Sequence, residues 1–261
     1  MSHLTTTTTV RIALIAMLAL LLAQWWLARR EEYSTQATPA TPAATSAGPA
    51  GRRRVCVLMF STPNIVDEYA GIAARVNEAY AQRHGYDFKH VVGRSRHAIP
   101  QWEKVRLVRA HMASYDVVFW IDSDAVFNQH ERSLDEWIND PADFVGCTDV
   151  PNGPYKINCG TLLVKTTPWT KKFVDAWWAK NGLPKYNTWA NEQEALHDMI
   201  TSDEQGCASA RKVKIEAVDA FNSDRNQLVA GARDTFVLHF MAMTSDERRR
   251  ELGAVAKKLG V

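Results

Sequence analysis

Two uninterrupted apolar runs, Val55–Phe60 (VCVLMF) and Val117–Ile121 (VVFWI), constrain the fold of this chain more than any other feature. A strand with one face in water alternates apolar and polar residues. A strand that is apolar at every position is buried on both faces, which is the pattern of a parallel sheet covered by helices on each side. The intervening segments agree with that reading. Residues 65–84 carry an amphipathic helical pattern closed by Gly85 as a C′ residue. Residues 86–92 read as a second strand, and 102–114 as a helix with Val105, Leu107, Val108 and Met112 as its apolar positions. Strand patterns follow at 144–147, 161–165, 212–217 and 235–240, helices at 168–180 and 190–200, and a charged terminal helix begins at Asp246. The β-α-β-α-β opening predicts an α/β domain built on a mostly parallel sheet with helices on both faces.

Ahead of this domain the sequence changes character. Ile12–Leu27 is apolar apart from Gln24, with Arg11 before it and Arg29 and Arg30 after it. A spanning helix needs about 20 residues, with about 17 as a lower bound. Residues 12–28 are therefore expected to form a single transmembrane signal anchor behind a tail at 1–11, with Trp25 and Trp26 at the interface. The rival reading is a cleaved signal peptide, against which stands the lack of a small-x-small site directly after the apolar segment. Arg29 and Arg30 would favour the cytoplasmic side, in tension with a lumenal domain. Residues 29–52 include the stretch YSTQATPATPAATSAGPAG, which lacks large apolar side chains and reads as an extended stem. The folded domain is then 53–261.

Composition removes several function classes. Lys and Arg total 31 against 29 for Asp and Glu, a net charge of +2, so no field for nucleic acid is implied. The four cysteines, Cys56, Cys147, Cys159 and Cys207, are scattered without a C-x-x-C spacing. They read as small buried hydrophobes rather than as a zinc site.

The candidate chemistry sits where the second apolar run ends, in Asp122-Ser123-Asp124. Ligands of open α/β sheets bind outside the carboxyl ends of the strands. In an extended chain, side chains two residues apart share a face, and two carboxylates on one face repel unless a cation lies between them. A hard divalent ion such as Mn²⁺ or Mg²⁺ satisfies that pair and keeps open positions for diphosphate oxygens. The bland alternative is a turn in which the aspartates cap the next segment. His239 ends the apolar pattern at 235–239 and is a candidate third ligand, although a lone histidine on such a strand is more often a satisfied core residue. On the helix before the acidic run, Lys104 and Arg109 could line a phosphate-bearing donor or simply form a solvated face. In Asn158-Cys159-Gly160 the glycine permits close backbone approach. Glu192 and Gln193 open a helix, where an acidic first turn can be plain dipole compensation. With carboxylate repulsion as the premise, Asp124→Asn is expected to abolish metal-dependent turnover and leave the fold intact.

These residues fall in an ordered set of blocks that resembles glycosyltransferase family 34, a group of galactosyl-, mannosyl- and xylosyltransferases. The blocks are WEKVRLVR at 102–109, VVFWIDSDAVF at 117–127, YKINCGTLLVKT at 155–166, Trp169 with FVDAW at 173–177, NEQEAL at 191–196 and FVLHF at 236–240. The resemblance implies a GT-A-type, Rossmann-like fold, retention of anomeric configuration and a Golgi type II membrane topology with a lumenal domain. It implies metal ligation by Asp122, Asp124 and His239, and a donor site lined by Lys104, Asp122, Ser123, Asn158 and Gly160. It places Glu192 and Gln193 near the transferred sugar. The donor would be a UDP- or GDP-sugar and the acceptor a glycan or glycoconjugate. One departure stands out: the family tends to follow the His-Phe pair with a Gly and then a diphosphate-gripping Lys, whereas this chain reads Met241-Ala242-Met243-Thr244-Ser245, with Arg248 as the nearest base. Two other readings keep the aspartates: a non-catalytic scaffold of the same fold, and a metal-dependent nucleotidyltransferase. Against the latter, no Gly-rich phosphate loop stands near Phe60–Pro63.

Overall fold

The apolar runs become β1 (Val55–Ser61) and β3 (Val117–Ile121), which pair parallel to each other. This computed structural model describes residues 53–97, 99–149, 153–223 and 235–261, so the expected tail, anchor and stem lie outside the described residues. Among the described residues, no helix is long and apolar enough to cross a membrane. Alternate residues of the two runs go to opposite faces, and each face meets a helical layer. On one side Val57, Met59, Val117, Phe119 and Ile121 pack with Val76 and Tyr80 of α1 (Gly71–His84). On the other, Cys56, Leu58, Val118 and Trp120 pack with three helices. These are α2 (Glu103–His111), α3 (Pro168–Trp178) and α4 (Asn191–Thr201). Water reaches neither face, which is why no polar residue interrupts the runs.

The sheet also contains β2 (Asp87–Val92), β5 (Phe144–Cys147), β6 (Asn158–Lys165) and β7 (Val213–Glu216). Its order is β2-β1-β3-β6-β5-β7. The β1–β2, β1–β3 and β5–β7 pairs are parallel, and β6 runs antiparallel to both β3 and β5. The expected mostly parallel α/β sheet with helices on both faces is present, with one reversed strand.

Several boundaries differ from the sequence reading. The helical pattern at 65–84 is broken: Pro63–Ile65 leads into a π-helical turn at Val66–Ala70 before α1 begins, and α1 ends at Gly85 in the left-handed conformation (φ 66°). The expected strand at 161–165 starts earlier, at Asn158. The strand expected at 235–240 is not part of the large sheet. It is β8 (Val237–His239), paired antiparallel with a short strand, β4 (Ala125–Phe127), that directly follows the acidic turn. Apolar patterning marks such a segment as extended and buried but does not name its neighbour.

Three further elements frame the site. A one-turn helix, α5 (Val218–Phe221), leads into Asn222 and Ser223. The C-terminal helix α6 (Ser245–Leu259) opens with a capping box between Thr244 and Glu247 and packs Leu252 and Val255 onto the α1 side of the sheet. All four cysteines are buried and free.

Candidate active site

Asp122 follows the last residue of β3, so β3 delivers it to the carboxyl edge of the sheet. Its backbone N–H donates to the Gly160 carbonyl at 2.8 Å, which ties the turn to β6. The Ala125 N–H donates back to the Asp122 carbonyl at 3.0 Å, and the chain reverses into β4. Register then does the rest. Ala125 stands opposite His239 in the β4–β8 pair, so the residue before Ala125 and the imidazole meet. Asp124 Oδ1 lies 3.2 Å from His239 Nε2.

One oxygen or nitrogen from each of Asp122, Asp124 and His239 lies within 4.8 Å of the others. Two carboxylates and an imidazole suit Mn²⁺ or Mg²⁺, and three ligands leave positions open for a substrate. The surroundings fit that use. His239 is 5% exposed and its Nδ1 lies 2.8 Å from Asn222 Oδ1. An Nδ1–H donated to that carbonyl leaves Nε2 facing the aspartates, as a metal-binding histidine requires. Its backbone N–H donates to Ser223 Oγ. A Cβ built on Gly160 would lie 2.1 Å from His239 Cε1, so the missing side chain is the space that the imidazole occupies.

Electrostatics concentrate at Asp124. Burial alone would raise its carboxyl, but the charge and hydrogen bond of His239, with Arg248 beyond, outweigh burial and hold it down to about 2. For His239, burial opposes a proton and the Asp124 carboxylate favours one, and the pKa is raised. Asp122 accepts from Trp120 Nε1 at 2.7 Å and lies 3.3 Å from Lys104 Nζ.

The structure brings most of the sequence-predicted site residues together. Lys104 is 4% exposed and bridges Asp122 and Glu192 Oε1, the latter at 3.0 Å. Burial works against its charge, and the two carboxylates outweigh burial and keep it cationic. Glu192, also 4% exposed, accepts from Lys104 and lines the same pocket. Asn158, Gly160 and Gln193 line the same pocket as Asp122, Asp124 and His239. Ser123 lies in the adjoining groove with Tyr69. Gln193 accepts from the Cys159 N–H at 3.0 Å and directs its Nε2 to Asp149 Oδ2 at 3.4 Å. Arg109 is not brought there. It pairs with Asp175 at the surface and lines a separate groove with Arg106 and Lys171.

Three residues of the pocket carried no signal of their own in the sequence. Asp149 accepts from both Asn158 and Gln193. Trp189 is 79% exposed at the mouth of the pocket. Arg248, on the first turn of α6, donates from Nε to Asp124 Oδ2 at 2.9 Å. Of these, only Arg248 had a pointer, as the base nearest to the altered segment after His239. In that segment Ala242 takes the left-handed conformation (φ 56°), which favours glycine.

A model of the galactosyl transferase GMA12/MNN10 family matches residues 52–148 and 152–248. The chain belongs to this family, glycosyltransferase family 34. Among its relatives, the "probable alpha-1,6-mannosyltransferase MNN10" of Saccharomyces cerevisiae is 24% identical over 168 residues, which are 51% of this chain and 43% of that protein. Galactomannan galactosyltransferase 1 of Cyamopsis tetragonoloba is 24% identical over 177 residues, 60% of this chain and 40% of that protein. The chain spans less than half the length of these curated relatives. Among solved structures, a glycosyltransferase involved in the glycosylation of the major capsid of PBCV-1 shares the fold with a TM-score of 0.65. It is 17% identical, and the match covers 77% of this chain and 99% of that one.

Proposed function

We propose that this family 34 chain is a retaining, metal-dependent glycosyltransferase that moves a hexosyl or pentosyl unit from a UDP- or GDP-sugar to a glycan acceptor. The observation that carries the reading is the convergence of Asp122, Asp124 and His239 at the carboxyl end of β3, the edge at which α/β sheets take their ligands. A Mn²⁺ or Mg²⁺ ion held by these three residues would supply Lewis-acid neutralisation of the leaving diphosphate.

The chain's own residues do the remaining work. Lys104, wedged between Asp122 and Glu192, orients the Asp122 carboxylate. Asn158 holds β6 at its pocket end by accepting from the Gly160 N–H at 2.8 Å. In this reading the Gln193 amide, fixed between Cys159 and Asp149, meets the sugar being transferred. Asp149, 9% exposed and held by two amide donors, adds negative potential where positive charge would develop on that sugar.

The acceptor is placed over Trp189. The backbone of this turn is well bonded: Asn191, at φ 25°, donates from its side chain to the Thr188 and Trp189 carbonyls at 3.0 Å each. Tyr155 meets the indole edge-on, with ring centroids 5.8 Å apart. A large aromatic held out at a pocket mouth offers an apolar face to the C–H side of a pyranose. Trp189→Ala is expected to raise the acceptor KM about tenfold and the donor KM by much less. Equal rises in both would remove Trp189 from the acceptor side. Anchoring by segment 12–28, with the domain in the Golgi lumen, completes the reading, and protease protection of the domain in sealed microsomes checks it.

The decisive test is nucleotide release from a panel of UDP- and GDP-sugars with Mn²⁺ and with chelator. Metal-dependent hydrolysis of one donor would identify the sugar. Failure of every donor to bind or turn over would move the chain to the scaffold reading.

A further inference from the structure

Both carboxylate oxygens of Asp124 face basic side chains: Oδ1 lies 3.2 Å from His239 Nε2, and Oδ2 accepts from Arg248 Nε at 2.9 Å. His239 belongs to the metal-ligand set. Arg248 does not, and a metal ion taken up by Asp124 must share that carboxylate with a guanidinium. The arginine is not a loose surface charge. It arrives from a capped helix, is 19% exposed in its side chain, donates also to the Phe240 carbonyl at 3.2 Å, and lies over the Tyr69 ring with 5.3 Å to its centroid.

Its terminal nitrogens point to a second use. Only Nε makes hydrogen bonds among the described residues, which leaves the planar Nη pair without a protein acceptor there. Arg248 lines the same pocket as Asp122, Asn158 and Gln193. Lys104, the other cation lining that pocket, is committed to Asp122 and Glu192. A nucleoside diphosphate brings negative charge to this place, and a guanidinium fork matches adjacent phosphate oxygens in a bidentate way.

We propose that Arg248 is the diphosphate-binding cation of this site and that it also competes with the metal for Asp124. When Asp124 turns to the metal, the guanidinium is released to the diphosphate, held near by Tyr69 and the Phe240 carbonyl. The inference rests on the donor-site reading above and adds to it a residue with two effects of opposite sign. Removing Arg248 removes a like charge near the metal and strengthens metal binding, while it weakens diphosphate binding.

Calorimetric titration of the full-length protein with Mn²⁺ alone, and with UDP, GDP and pyrophosphate in the presence of Mn²⁺, tests this. In Arg248→Gln, Mn²⁺ alone is expected to bind at least about threefold more tightly, and the better nucleotide to bind about 10- to 100-fold more weakly. Arg248→Lys keeps the charge without the fork and should fall between. Retained Mn²⁺ binding in the Gln variant also shows that it is folded. Loss of both affinities together would make Arg248 a structural strut for Asp124 and overturn the inference, as would no change in either. Wild-type protein that binds Mn²⁺ but neither nucleotide nor pyrophosphate would overturn the donor reading along with it. Wild-type nucleotide affinity retained in Arg248→Gln would overturn the inference alone.

Discussion

Asp124→Asn is expected to lower metal-dependent donor turnover by at least about 10²- to 10³-fold and to lower the melting temperature at the same time. The first effect follows from removing a charged ligand atom from the Asp122–Asp124–His239 set. The second reverses the expectation drawn from carboxylate repulsion. In the folded chain Asp124 lies 3.2 Å from His239 Nε2 and 2.9 Å from Arg248 Nε, so its charge is stabilised. A carboxyl held at about 2 instead of 3.8 corresponds to roughly 2 kcal/mol at neutral pH. This contribution is present above the unfolded pKa and is lost as pH falls through about 2. For a domain of this size the loss is on the order of 5 °C in melting temperature. Nucleotide-release rates with Mn²⁺ and with chelator, read beside a thermal melt, check both parts. Wild-type rates in the variant with metal chelated would sink the metal assignment.

Gly160→Ala is the smallest substitution with a comparably large expected effect. The new methyl carbon would lie 2.1 Å from His239 Cε1, 2.6 Å from its Nδ1 and 2.8 Å from Asn158 Oδ1. None of these can recede freely. The imidazole is buried and bonded to Asn222, its backbone is bonded to Ser223, and Asn158 is bonded to Asp149. Overpacking of this kind costs about 1–3 kcal/mol, and it acts by turning His239 away from the aspartates. The variant should fold with a lowered melting temperature and bind Mn²⁺ at least about tenfold more weakly. Wild-type Mn²⁺ affinity in the folded variant would mean that His239 is not a ligand. Gly160 is needed here for space: its φ does not lie in the left-handed region, unlike that of Gly85.

The resemblance and the residue patterns together pointed to the cluster of Asp122, Asp124 and His239 that the fold brings together, yet they did so unevenly. Asp122 and Asp124 could be placed from local information, because an apolar strand ending in D-S-D puts them at a sheet edge whatever the rest of the chain does. The strand pattern made His239 only a candidate, since it fits any buried strand, and the resemblance carried the ligand reading. The sequence left Lys104 between a donor-lining cation and a solvated helix face, and Glu192 between a place near the transferred sugar and plain dipole compensation; in the structure each is the buried partner of the other. Burial of that pair depends on α2 and α4 meeting over Trp120, a contact between residues 88 positions apart. Arg109, one helical turn or so beyond Lys104, looks equivalent in sequence and faces a different groove.

What the sequence determined by itself is what depends on neighbours along the chain. Uninterrupted apolar runs dictate strands covered on both faces, Gly85 ends α1, and the charged segment from Asp246 marks the terminal helix. What the tertiary structure alone decided is what depends on pairing between distant segments. The β4–β8 register sets His239 beside Asp124. The antiparallel β6 brings Gly160 under the imidazole. The packing of α6 beside the sheet carries Arg248 124 positions back to the same carboxylate. Side-chain periodicity records which face a residue presents, but the partner of that face is chosen by packing among all the elements at once, and no local pattern encodes it.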